Sequence, residues 1–167
     1  MRAARRWGGW AVSLVIGVLC TYPPIRLTAQ TDPRLQDAVR LAQAGRMDSA
    51  RAVVNRLLGT LPPGDSVYPE ALFTAGILSP DPQSVARHLQ RVVVEFGQSP
   101  WADDALLRLT QFHFAQGDPA ATVSAAERLR RDYPDSPLRA HAAFPAARAY
   151  FDLKDESHGC ALIREAL

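Results

Sequence analysis

A chain of 167 residues, 47% of them hydrophobic, has the apolar surface for one packed domain, which excludes an intrinsically disordered protein. The formal net charge is +2, but residues 1–29 hold Arg2, Arg5, Arg6 and Arg26 and no acidic residue, and the rest carries 15 basic and 17 acidic groups. A body so close to neutral lacks the concentrated basic face that displaces counterions from nucleic acid, so a nucleic-acid binder is excluded. Lys154 is the single lysine, which reads as a coding preference for Arg and Ala and not as phosphate recognition.

Residues 1–29 read as an export signal or N-terminal anchor. Three arginines form a basic start, and Trp10 to Cys20 is an uncharged, mostly apolar run. Its length suits a signal peptide and falls short of the roughly 20 residues that cross a bilayer as a helix. Tyr22-Pro23-Pro24 breaks the run, and Ala29 is the small residue at the expected cleavage point. Arg5-Arg6 is a twin arginine without the usual flanking residues. Gly17-Val18-Leu19-Cys20 resembles a lipoprotein box with Leu19 where a small residue normally stands. An uncleaved anchor, helped at the interface by Trp7 and Trp10, is the remaining alternative. Cleavage would leave Cys160 alone, so no internal disulfide is expected.

From residue 32 onward helical periodicity dominates. Even Val92-Val93-Val94 sits in an i, i+3, i+4 pattern with Leu89 and Phe96. Helix starts recur as one device. Asp32-Pro33, Asp81-Pro82, Ser99-Pro100, Asp118-Pro119 and Ser136-Pro137 each set a capping oxygen before a proline. The oxygen accepts from an otherwise orphaned N–H, and proline at the first helical position gives up an N–H without a partner. Tyr68-Pro69 opens a further helix with Ser66 or Asp65 as its cap. Marks at 32, 66, 99 and 136 give a period near 34 with two helices per unit. That period predicts an all-α solenoid of about four helical hairpins, with units at about 32–64, 66–97, 99–134 and 136–167. Gly45-Arg46-Met47-Asp48, Ser79-Pro80-Asp81-Pro82, Gly117-Asp118 and Lys154-Asp155 are the predicted hairpin turns. Pro145 falls inside the first helix of unit four and is expected to kink it.

Glu95-Phe96-Gly97-Gln98-Ser99-Pro100 returns as Asp132-Tyr133-Pro134-Asp135-Ser136-Pro137. With these linkers the chain resembles the bacterial envelope tetratricopeptide-repeat proteins. It is similar to the outer-membrane barrel-assembly lipoproteins and the Tol-Pal-associated cell-division coordinators, most closely over about 84–152. The resemblance implies an exported, periplasmic, non-catalytic adaptor that binds a protein or peptide of the cell envelope, with membrane association through the N-terminus. Unit four lacks a polar capping helix. Its exposed flank is expected either to pair with another chain, making an oligomerising repeat protein, or to continue into a longer peptidoglycan-associated protein.

No catalytic residue, metal or cofactor is expected. His113 falls at a large packing position between Phe112 and Phe114, and His88 and His141 have no acid or cysteine at ligand spacing. His158-x-Cys160 is far short of a zinc set, and Cys160 reads as a small buried apolar residue. Asp103 and Asp104 point apart on a helix and read as helix-dipole partners. The Arg128, Arg130, Arg131 cluster reads as a solvated helix end. No glycine-rich phosphate loop, Gly-x-Ser-x-Gly or His-Glu-x-x-His is present.

In a tetratricopeptide stack the first helix of each hairpin lines the concave face. Helical spacing then selects Asp104, Leu107, Gln111 and Phe114 in unit three, and His141, Phe144, Arg148 and Phe151 in unit four. Phe114, Phe144 and Phe151 would anchor an apolar side chain of a partner, and Gln111 and Arg148 would bond its backbone or a carboxylate. The alternative is that these aromatics, and Trp101, pack between units.

Overall fold

The computed structural model describes residues 32–166, and the N-terminal segment read as a signal or anchor lies outside them. Eight α-helices follow one another among the described residues: α1 Pro33–Gln43, α2 Met47–Thr60, α3 Tyr68–Leu78, α4 Pro82–Glu95, α5 Ala102–Ala115, α6 Pro119–Asp132, α7 Arg139–Asp152 and α8 Glu156–Ala166. They pair as four hairpins, each packed on the next. α5 and α7, the first helices of the last two hairpins, also touch directly.

Three of the four hairpin turns share one geometry, and the α3–α4 turn, through an extended Ser79, does not. Gly45, Gly117 and Lys154 adopt left-handed backbone, at φ 74°, 71° and 66°. After α1, Gly45 N–H donates to Ala42 O and Arg46 N–H to Leu41 O. After α5 the same pair runs from Gly117 to Phe114 and from Asp118 to His113; after α7, from Lys154 to Phe151 and from Asp155 to Tyr150. Each pair satisfies carbonyls that a helix end leaves bare. Three of the four second helices then start on an aspartate, while α2 starts after Arg46 with no side-chain cap. Asp81 accepts from Ser84 N–H, Asp118 from Ala121 N–H and Asp155 from His158 N–H.

The segments that lead into the four hairpins use a different device. Asp32, Asp65, Ser99 and Ser136 each accept, by side chain, the N–H two residues on, at 2.9, 2.8, 3.2 and 3.2 Å. Each also accepts, by its own carbonyl, the N–H three residues on. Ser99 and Ser136 were expected to cap helices directly. Instead their short side chains close a single turn, and α5 and α7 begin three residues later, at Ala102 and Arg139. At the second linker Asp65, not Ser66, does this work. Pro145 is buried within α7, which runs unbroken from Arg139 to Asp152.

The core forms two clusters. Leu35, Ala38, Ala50, Val54, Val67, Ala71, Ala75 and Leu78 unite the first hairpin with one flank of α3. Leu72, Leu89, Val92, Leu106, Leu109, Leu129, Ala146 and Leu162 belong to the second, which spans the remaining helices. Leu58 packs against both. Each fully buried leucine stabilises the fold by about 1.5–3 kcal/mol relative to exposure. Linker contacts tie neighbouring hairpins together. Trp101 packs its ring 5.2 Å from Phe73, Tyr133 Oη donates to Gly97 O at 2.6 Å, and Ser136 Oγ donates to Asp103 at 2.7 Å.

Candidate functional site

α7 buries a run of small residues. Ala142, Ala143, Pro145, Ala146, Ala147 and Ala149 are buried, and their small side chains let α5, α6 and α8 approach closely. Its exposed residues fall mainly into one narrow stripe, His141, Phe144, Arg148 and Asp152. On neighbouring α5, Asp104 and Gln111 are half-buried, and Arg108 and Phe114 are exposed.

The two stripes meet at an aromatic pair. The Phe114 and Phe144 rings lie edge to face with centroids 6.3 Å apart, and the residues are 38% and 67% exposed. Gln111 accepts from Arg108 at 3.1 Å, and Arg148 pairs with Asp152 at 3.4 Å, both on the surface. Burial, and next the charge of Asp103, push the Asp104 carboxyl above the usual aspartate range, with Arg108 opposing. Asp104 is therefore not the exposed dipole partner expected of it. Asp103 is held by Ser136.

Of the six groove residues named from the sequence, the structure brings Phe114 and Phe144 together and leaves Arg148 exposed on the same stripe as Phe144. Leu107 is 7% exposed and belongs to the core, so its side chain is not on offer to a partner. Phe151 is half-buried against the same core. Its ring lies under α8, where an added Cβ at Gly159 would stand 2.7 Å from it. Trp101 is taken up by its contact with Phe73. Ile77, 45% exposed on α3, is a further apolar side chain on a first helix. Its signal in the sequence was its place twelve residues after Asp65, matching Gln111 after Ser99.

Three of the four histidines are engaged locally, and His141 lies on the exposed stripe of α7. His88 Nδ1 lies 2.8 Å from Ser84 O, His113 packs edge-on to Phe112, and His158 stacks on Tyr150 while its Nδ1 meets Asp155 at 2.7 Å. Cys160, expected to be buried, is exposed, because its place on α8 faces away from the hairpin. Among the described residues no helix is long and apolar enough to cross a membrane.

Four stacked helical hairpins with repeated turns and linkers make this a tetratricopeptide-type helical-repeat fold. No family model and no curated protein matches the chain. Solved structures do. One crystal structure of MamA, a tetratricopeptide-like helical-repeat protein, superposes with a TM-score of 0.65 at 16% identity, over 79% of this chain and 73% of that one. A second MamA structure gives 0.64 at 17%, over 80% and 69%. At such identities the likeness is one of fold.

Proposed function

We propose that the protein is a non-catalytic scaffold of the bacterial cell envelope that holds a segment of a partner protein on the face shared by α5 and α7. The observation that carries this reading is the exposed Phe114–Phe144 pair. Leaving two aromatic rings in water forgoes burial that either would gain in a core, and a partner's apolar side chain restores it. Gln111 and Arg148 flank the pair as hydrogen-bonding groups. The repeat fold supports the scaffold role, and the aspartates support a structural chemistry: Asp32, Asp81, Asp118 and Asp155 all serve helix starts. The envelope location rests on the N-terminal segment and the linker resemblance.

Capture from envelope extracts tests the proposal. The Phe114→Ala, Arg148→Ala double variant is expected to lose its partners in pull-down while keeping its helical circular dichroism. Equal capture by a folded variant removes the groove. A second reading, self-association through α8, is favoured by Cys160 and Ile163 on its outer side. Light scattering that finds a strict monomer at high concentration discards it.

A further inference from the structure

Two phenylalanines occupy equivalent places in successive hairpins and behave differently. Phe114 ends one turn before Gly117, and Phe151 one turn before Lys154, at an offset of 37 residues. Phe151 packs on the core, whereas Phe114 turns outward to Phe144. The backbones around them match, since both turns make the same pair of hydrogen bonds. Something in the side chains separates the two.

The difference lies across the hairpin. At the same offset, α6 carries Thr122 and α8 carries Gly159. A Cβ at Gly159 would lie 2.7, 2.8 and 3.0 Å from Cε1, Cζ and Cδ1 of Phe151, closer than real Cβ atoms come. The Phe151 ring therefore uses space that only a glycine leaves. Thr122 is fully buried and locked by its hydroxyl, which donates to Asp118 O at 2.6 Å. By its offset, a Cβ and a methyl stand at the place in that hairpin that Gly159 leaves open in the next. The first hairpin carries alanine at both corresponding places, Ala42 and Ala50, and presents no ring at all.

We propose that the residue on the first turn of the second helix, Thr122 in α6 and Gly159 in α8, decides whether the phenylalanine opposite faces the binding face or the core. It thereby sets how far along the stack an apolar side chain of a protein partner is held. Threonine turns Phe114 outward, and glycine draws Phe151 in and ends the aromatic surface at Phe144. The consequence for binding rests on the groove reading above; the consequence for side-chain placement does not.

Hydroxyl-radical footprinting of the full chain, read by mass spectrometry at each phenylalanine, tests the placement. In Gly159→Ala the labelling of Phe151 is expected to rise several-fold, to the level of Phe114. In Thr122→Gly the labelling of Phe114 is expected to fall. Circular dichroism qualifies each variant, and should Thr122→Gly fail to fold, Gly159→Ala decides alone. Unchanged Phe151 labelling in folded Gly159→Ala overturns the proposal. For binding, the probe is a displayed random-peptide library selected on the wild type and sorted for peptides released by Phe114→Ala. Reselection on Gly159→Ala is expected to retain these and add a second apolar side-chain preference. A raised label with no change in selected peptides overturns the specificity role. A library that yields no Phe114-dependent peptide sinks the groove reading itself, and the footprint still decides the placement.

Discussion

Three positions share one left-handed turn, and one of them carries the wrong residue for it. Gly45 and Gly117 reach positive φ without penalty, whereas Lys154 holds a Cβ there at φ 66°. The left-handed region costs a residue with a Cβ about 1–2 kcal/mol. Glycine offsets part of that gain by about 0.5–1 kcal/mol of extra freedom in the unfolded chain. Lys154→Gly is thus expected to stabilise the protein by about 0.5–1 kcal/mol over Lys154→Ala, a comparison that removes the ammonium's favourable interaction with the α7 C-terminus from the account. Gly117→Ala applies the same two effects with the signs reversed. A Cβ there meets no other atom within 4 Å, so the loss is one of backbone conformation alone. Urea unfolding at equilibrium measures both, with melting temperatures moving by roughly 2–4 °C per kcal/mol for a chain of this size. If Lys154→Gly is no more stable than Lys154→Ala, the equivalence of the three turns is wrong.

Two further outcomes follow from the hairpin contacts. Tyr133→Phe removes the hydroxyl that donates to Gly97 O at 2.6 Å, and is expected to cost about 1 kcal/mol in urea unfolding while leaving the helix content unchanged. Asp104→Asn tests burial at the binding face. The folded protein holds the Asp104 proton more tightly than the unfolded chain does, so stability from this site is present in acid and lost as pH rises through the raised value. The asparagine variant is expected to be the more stable protein at neutral pH, with the gap closing as pH falls to the ordinary 3.8. A gap that stays constant with pH would show that Asp104 is solvated.

Much of this was legible in the residues. Helical spacing gave the all-α stack, and Gly45, Gly117 and Lys154-Asp155 marked hairpin turns because left-handed backbone and aspartate caps leave local signatures. Ser99 and Ser136 were harder to read. A serine before proline serves equally as a helix cap or as the closure of one preceding turn, and the choice depends on where the next hairpin docks. The groove residues divided for the same reason. Leu107 and Phe144 occupy matching places, yet one is buried and the other 67% exposed, since periodicity names a helix face without saying which neighbour covers it. Phe151 is different: its signal was present, as a glycine standing where the preceding hairpin has threonine, but its meaning needed the distance across the hairpin.

The division of the apolar interior has a mechanical consequence. Among the described residues only Leu58 packs on both clusters, and α3 lends one flank to each. The seam between the clusters therefore runs along α3 and not between α2 and α3. Parting the clusters is expected to release α1, α2 and the flank of α3 that carries Ala71 and Ala75 together, which amide hydrogen exchange would register as lower protection there than in α5 to α7.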